Sequence, residues 1–389
     1  MKKQFHSAYG VFSLARLPEG DKTLFAWDAA DELLLSYLGE QGVSSESAHT
    51  AIVNDSFGAI SCALKGQKRD SLSDSLIAHL AAAENFNNNA ISVADNGLYQ
   101  AIKSSDKLSN SYDLVIIKIP KALALLEDQL ISLKACIAPS CVIIAAGMTR
   151  NIHKSTLELF EQIIGPTHTS LAKKKARLIF AENRSQSYSE NDVRNYQQHK
   201  RISRYKLEGS DFVLVNLPGV FSRSKLDIGT RFFLPHIKNM GDSEFDILDL
   251  GCGNGALGIM AAVKNLNARI TFIDESYQAL ESVKMALESS IGMDEERFSL
   301  QVNHVLEGVN EPKYDLILCN PPFHQNNSIG KQTAFLMFRQ AKNVLKNGGK
   351  IQVVANRHLQ YQHKLKQLFN NCTLVDSNSK FVILESEKK

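Results

Sequence analysis

The sequence predicts two tandem α/β domains, each on a Rossmann-like parallel sheet, and three observations carry that prediction. The chain has 389 residues, enough for two domains at ~100–200 residues each. Short apolar runs alternate with helical stretches through both halves, the order that yields parallel strands joined by crossover helices. The halves also repeat one another. Val53-Asn-Asp-Ser-Phe-Gly-Ala-Ile60 lies over Leu250-Gly-Cys-Gly-Asn-Gly-Ala-Leu257, and Tyr112–Lys121 lies over Tyr314–Phe323, at offsets of 197 and 202 residues. A helix ending in Leu-Phe follows in each half, at Leu159-Phe160 and Leu368-Phe369. Chance likeness between apolar strands does not keep three matches in order, so duplication is the better explanation.

The first domain is expected over residues 1–185. It is the degenerate copy: Gly251-Cys-Gly-Asn-Gly255 of the second half corresponds to Asn54-Asp-Ser-Phe-Gly58, and Asn320-Pro-Pro-Phe323 to Lys118-Ile-Pro-Lys121. Trp27, the only tryptophan, sits in a helical stretch and reads as packing. Lys118 stands where the second copy has Asn320; it could contact a phosphate or be a neutral surface change. A basic linker follows at residues 186–205. Between Lys173 and Lys206 ten basic residues face three acidic ones, a local balance of +7. The whole chain carries only +3, so the remainder sums to −4. Such a segment, with Lys173, Lys174 and Lys175 at its start, can draw phosphates by counterion release, although many charge runs are only solvated surface.

Composition excludes several classes. Hydrophobic residues make up 44% and charged residues 22%, as in an ordinary globular protein. No apolar run approaches the ~18 residues of a membrane span. The N-terminus lacks a secretory apolar stretch, so a cytoplasmic protein is expected. The six scattered cysteines form no Cys-x-x-Cys pair, which argues against a disulfide frame and against a metal site.

The second domain is expected over residues 206–389. Phe245-Asp-Ile-Leu-Asp-Leu-Gly-Cys-Gly-Asn-Gly-Ala-Leu-Gly258 reads as a buried strand, a glycine turn and a helix. Glycines at 251, 253 and 255 let a ligand approach bare backbone. Gly253, Gly255 and Gly258 also satisfy the dinucleotide pattern, a weak match by itself. Asp249 argues against a pyrophosphate there and for a cationic ligand such as S-adenosylmethionine. Asp274 ends the next strand, where a carboxylate can accept from ribose hydroxyls of either cofactor.

Tyr314-Asp-Leu-Ile-Leu-Cys-Asn-Pro-Pro-Phe-His324 is an apolar strand ending in a rigid turn. Pro321 and Pro322 fix φ and withhold backbone donors. The side-chain carbonyl of Asn320 and the backbone carbonyl of Pro321 can then hold the two hydrogens of an exocyclic amine. That frees the nitrogen lone pair from the π system for attack, while Phe323 offers a stacking face. Rate would come from positioning and electrostatics. A base in a duplex would have to leave its stack. Another planar amine, or an RNA-binding role without catalysis, are the alternatives.

With Val220-Phe-Ser-Arg-Ser-Lys-Leu-Asp-Ile-Gly-Thr-Arg231 and Val354-Ala-Asn-Arg-His-Leu359, these motifs resemble the ribosomal RNA guanine-N2 methyltransferases, class I S-adenosylmethionine-dependent enzymes. Those proteins pair an active C-terminal domain with a degenerate N-terminal duplicate. Phe25–Asp31, Ser155–Glu161, Lys173–Ile179 and His363–Lys366 are most similar to the type acting on large-subunit (23S) RNA; the small-subunit (16S) type is the alternative. The resemblance implies that Asp249, Gly251, Gly253 and Gly255 line the methionine end of the cofactor and that Asp274 takes its ribose. Asn303 is placed for the adenine, with Phe221 and Gly229 as further cofactor residues. His324, Arg339 and Arg357 are candidates for RNA contact, and the polar stretch 325–331 for a lid. Ribosomal RNA is the expected partner, and a monomer the expected state.

Overall fold

A computed structural model describes residues 2–19, 23–42, 48–92, 97–184, 202–241, 243–322 and 328–389. They divide into two compact units, 1–201 and 202–389. Most of the predicted linker, and with it the basic residues from 185 to 201, lies outside the described residues. Residues 203–206 already form a strand of the second unit.

The first unit contains β1 (Lys3–Ser7), β2 (Gly10–Leu14), α1 (Ala29–Glu40), β3 (His49–Val53), α2 (Ala59–Ala63), β4 (Lys68–Ser73), α3 (Leu76–Asn88), β5 (Tyr99–Lys103), β6 (Tyr112–Lys118), α4 (Leu123–Lys134), β7 (Ile137–Met148), α5 (Lys154–Ile163), β8 (Thr167–Thr169) and β9 (Ala176–Glu182). The second contains β10 (Ser203–Lys206), β11 (Val213–Asn216), α6 (Ile228–Phe233), β12 (Asp246–Leu250), α7 (Ala256–Lys264), β13 (Arg269–Asp274), α8 (Tyr277–Ser290), β14 (Phe298–Val302), β15 (Tyr314–Cys319), α9 (Ser328–Val344), β16 (Leu345–Asn356), α10 (Tyr361–Phe369), β17 (Thr373–Ser377) and β18 (Phe381–Glu387).

Each unit folds around one seven-stranded sheet, and the strand orders correspond. One is β5-β4-β3-β6-β7-β9-β8 and the other β14-β13-β12-β15-β16-β18-β17. The first five strands in each order pair in parallel, and the last two pairings are antiparallel. The central strands β3 and β12 are buried at all five positions, as strands covered by helices on both faces must be. Apolar clusters fill both faces, with Phe233, Phe272 and Val283 on one side of the second sheet and Ile317, Phe338 and Leu345 on the other.

Register extends the repeat to single residues. Leu250 lies opposite Cys319 and Val53 opposite Ile117. The next residues along the two partner strands are therefore Asn320 and Lys118. Gly255 and Gly58 cap α7 and α2 in the left-handed region, at φ 78° and 74°. A Cβ on Gly255 would come within 2.8 Å of Val283, and one on Gly58 within 2.7 Å of Ala82. The same turn thus packs on the same helix in both units, which is why this one glycine is common to both copies.

Candidate functional site

β12 ends at the crevice outside the carboxyl edge of the sheet, where open α/β folds bind ligands. Asp249 is only 1% exposed and its Oδ2 accepts the backbone N–H of Gly258 at 2.7 Å. Burial, reinforced by the charge of Asp274, pushes its carboxyl up to about 8. Gly251, Gly253 and Gly255 all take positive φ and carry the chain around the turn. Gly258, by contrast, is a packing position: a Cβ there would meet Phe272 at 2.4 Å and Asp249 at 3.0 Å. A donor that a dinucleotide fold would offer to a pyrophosphate is thus already taken by the strand's own carboxylate.

Asp274 shapes the turn from the neighbouring strand. Its Oδ2 accepts from the Gly253 N–H at 2.8 Å and its Oδ1 from the Ser276 N–H at 3.0 Å. Asn303 follows β14 and its N–H donates to the Asp274 carbonyl at 3.0 Å. Its half-buried side chain donates to the Glu307 carbonyl at 3.0 Å. Asn303 therefore neighbours Asp274 but does not line the pocket formed by the glycine turn.

That pocket is lined by Asp249, Gly251, Gly253, Phe221, Asp227, Thr230 and Asn320, among others. The structure thus joins the glycine motif and the Asn-Pro-Pro motif in one crevice. Phe221 stands at its mouth, 63% exposed. Its loop is tied to the turn through side chains that sequence reading did not single out. Asn254 donates to the Tyr205 hydroxyl at 2.7 Å, and that hydroxyl donates to the Ser222 carbonyl at 3.0 Å. Gly229 is buried within α6 and lies outside the pocket lining.

Asn320 is the most informative residue. Its Nδ2 donates to Thr230 Oγ1 at 2.9 Å and to Asp227 Oδ2 at 3.2 Å. Its Oδ1 is buried and has no hydrogen-bond partner among the described residues. Leaving a buried acceptor unpaired costs about 1–3 kcal/mol, so an orphan at a crevice marks a place for a donor. Pro321 is buried and Pro322 exposed, while Phe323, His324 and residues 325–327 of the predicted lid stretch lie outside the described residues, and 328–331 belong to the first turn of α9.

The other predicted contacts are spread over the surface. Lys173, Lys174 and Lys175 are exposed on a tight turn before β9, and Lys174 pairs with Glu32 at 2.8 Å. Arg339 is exposed on α9. Arg357 is exposed but donates to the Asn378 carbonyl at 2.6 Å. Lys118 is not a free phosphate contact: it bridges Asp28 at 2.8 Å and Asp31 at 2.6 Å. In the first unit the carboxylate that holds the helix start comes from the loop instead of the strand. Asp55 Oδ2 accepts both the N–H and the hydroxyl of Ser61, each at 2.8 Å.

Sheet order, glycine turn and buried acidic strand end together define a class I methyltransferase fold. Residues 211–385 match the methyltransferase small domain family and residues 2–185 the RLMG N-terminal domain family. A T. Thermophilus 16S rRNA N2 guanine methyltransferase, solved with AdoMet and guanosine, shares the fold at 19% identity, with a TM-score of 0.77 over 100% of this chain and 98% of that one. The proteins named ribosomal RNA large subunit methyltransferase G are closer in sequence. That of Erwinia tasmaniensis is 44% identical over 97% of both chains. The Yersinia enterocolitica protein is 42% identical over 97% of this chain and 92% of its own. The Pseudoalteromonas translucida protein is 41% identical over 97% and 96%. The chain belongs to the ribosomal RNA large subunit methyltransferase G family.

Proposed function

We propose that this chain transfers a methyl group from S-adenosylmethionine to the exocyclic N2 of a guanine in 23S ribosomal RNA. The observation that carries the reading is the buried Oδ1 of Asn320, without a hydrogen-bond partner among the described residues, in the same crevice as Asp249 and the glycine turn. Family membership supplies the substrate class.

The residues present suit the cofactor. Bare backbone at Gly251 and Gly253 admits close approach, and the buried Asp249 favours a cationic partner over an anionic one. Asp249, Gly251, Gly253 and Gly255 would hold the methionine end, with Asp274 toward the ribose and Phe221 at the mouth. When bound, the cofactor supplies an electrophilic methyl group on a sulfonium.

What the chain itself does is hold the amine. Asn320 Oδ1 and the Pro321 carbonyl accept the two amine hydrogens, which disfavours delocalisation of the nitrogen lone pair into the guanine ring. The lone pair then points at the electrophile. The proton becomes acidic once the new C–N bond has formed and leaves to solvent, so no strong base is needed beside the amine. Phe323 would stack on the base. The N-terminal unit, with Lys173–Lys175 and the segment 186–205, would hold the RNA backbone.

The test is Asn320→Ala in the full-length chain. Tritium transfer from S-adenosylmethionine to unmodified 23S transcript should fall by about 10²-fold or more, as when an aligned polar group is lost from a reacting centre. Cofactor affinity by calorimetry should stay within a factor of two. Undiminished turnover would refute the role of Asn320. Transfer to 16S transcript in preference to 23S would refute the substrate assignment.

A further inference from the structure

Resting on the reading above, one question concerns the direction in which Asn320 points. A carboxamide has two ends of nearly equal size and shape, one donor and one acceptor, so packing alone does not choose between them. Only the oxygen, facing the crevice, can accept from an amine. Something must hold the NH₂ end away.

The structure assigns that task to Asp227 and Thr230. An ionised carboxylate accepts hydrogen bonds and cannot donate. Asp227 Oδ2 lies 3.2 Å from Asn320 Nδ2. Turning the amide over would set its oxygen against the carboxylate at about that same separation, where two partial negative charges repel. Thr230 Oγ1 accepts the second hydrogen at 2.9 Å. Asp227 is itself fixed, because the same Oδ2 accepts the Thr230 N–H at 2.9 Å as the cap of α6. The pair is 93 and 90 residues before Asn320 in sequence, so its contact with the reacting strand is a product of the fold.

The degenerate copy supports this independently. There Asp28 caps α1 and Asp31 is its third residue, the same two helix positions that Asp227 and Thr230 hold on α6. Lys118, the register equivalent of Asn320, places its Nζ between them at 2.8 and 2.6 Å. In both units the start of this helix therefore presents two acceptors to whatever stands at the end of the fourth strand. Where that residue is a lysine, both acceptors are carboxylates that take two of its three ammonium protons, and no acceptor is left over. Where it is an asparagine, one acceptor is a hydroxyl, and the amide is oriented with an oxygen left over. Asp227 and Thr230 are positioning residues: they touch Asn320, and through it set which atom meets the substrate amine.

Two variants test this in the full-length chain, Asp227→Asn and Thr230→Val. Asparagine still caps α6, yet offers a donor as well as an acceptor and so tolerates either end of Asn320. With unmodified 23S transcript, kcat should fall on the order of tenfold to a hundredfold, the usual result of misaligning a reacting group. The calorimetric Kd for S-adenosylmethionine and the thermal midpoint should hold. Wild-type kcat in both variants would overturn the proposal. So would a Kd that weakens in step with kcat, which would make the pair part of the cofactor site or of the fold. A second readout needs no turnover. The side-chain NH₂ resonances of Asn320, assigned by their loss in Asn320→Asp, should be protected from solvent exchange in the wild type and lose that protection in Asp227→Asn. If the wild type fails to methylate the transcript while the NH₂ protection follows Asp227, the functional reading fails and the orientation stands. Unprotected NH₂ protons in the wild type would sink the orientation alone.

Discussion

Asp249 ties cofactor affinity to pH in a way that can be worked out in advance. Burial, with the nearby charge of Asp274, pushes its carboxyl up to about 8. At pH 7 such a group is about 90% protonated in the free protein. A sulfonium or ammonium beside it favours the carboxylate and draws its pKa well below 7, so that the bound form is ionised at neutral pH. Binding should therefore release about 0.9 proton from Asp249. The cofactor's own amino group, with an ordinary pKa near ~8, takes up roughly 0.1 on becoming fully charged, leaving about 0.8. Between the bound-state pKa and pH 8 the affinity should rise with pH, by at most about tenfold per unit, since each unit of forced ionisation costs about 1.4 kcal/mol.

Calorimetry at pH 7 in phosphate and in Tris measures this directly, because the released proton protonates the buffer and adds its heat. Near pH 9 the buffer dependence from Asp249 should vanish. Asp249→Asn keeps an acceptor for the Gly258 N–H and should abolish the release at pH 7. The sign for stability follows from the same shift. A carboxyl whose folded pKa is raised favours the fold while protonated, so stability is lost as pH rises from about 4 toward about 8, at roughly 1.4 kcal/mol per unit from this group. The Asn variant should lack that part of the slope. Heats of binding equal in the two buffers at pH 7, or a release that survives in Asp249→Asn, would refute the reasoning.

The remaining predictions concern the first unit. Lys118→Met leaves Asp31, already raised to about 6 by burial, without its counter-charge. Breaking a buried pair in this way costs about 3–5 kcal/mol, so the thermal midpoint should drop at pH 7 and the deficit should shrink toward pH 5, where Asp31 takes up a proton. A midpoint equal to wild type would show that the pair contributes nothing. Replacing Lys173, Lys174 and Lys175 with Ala should barely move stability, because the Lys174–Glu32 contact is exposed and such pairs contribute ~0–1 kcal/mol. RNA affinity should weaken, and the slope of log K against log salt should flatten by roughly 0.7–0.9 for each phosphate that is no longer neutralised. An unchanged slope would mean that the lysines are only solvated surface.

How much of this could be read from the sequence depended on whether the information was local. The glycine turn was legible because positive φ at Gly251, Gly253 and Gly255 is a one-residue constraint that leaves a one-residue signature. The duplication was legible because each βα unit is contiguous, and matching segments in the same order imply matching strand orders, as β5-β4-β3-β6-β7-β9-β8 and its counterpart show. Lys118 was ambiguous for the opposite reason. Its meaning lies in Asp28 and Asp31, about 90 residues earlier, and a lysine among apolar residues reads equally as a phosphate contact or as surface drift. The Gly258 spacing was a weak signal for a third reason: it reports that a side chain is excluded and cannot say whether a ligand or Phe272 excludes it. Asp227 caps α6, and the sequence reading did not single it out. That its carboxylate also faces Asn320 is a property of β15 lying beside β12, with α6 beginning where β15 ends. A carboxylate that caps one helix and orients one amide leaves the same mark in sequence as one that only caps, so the second role had to come from the fold.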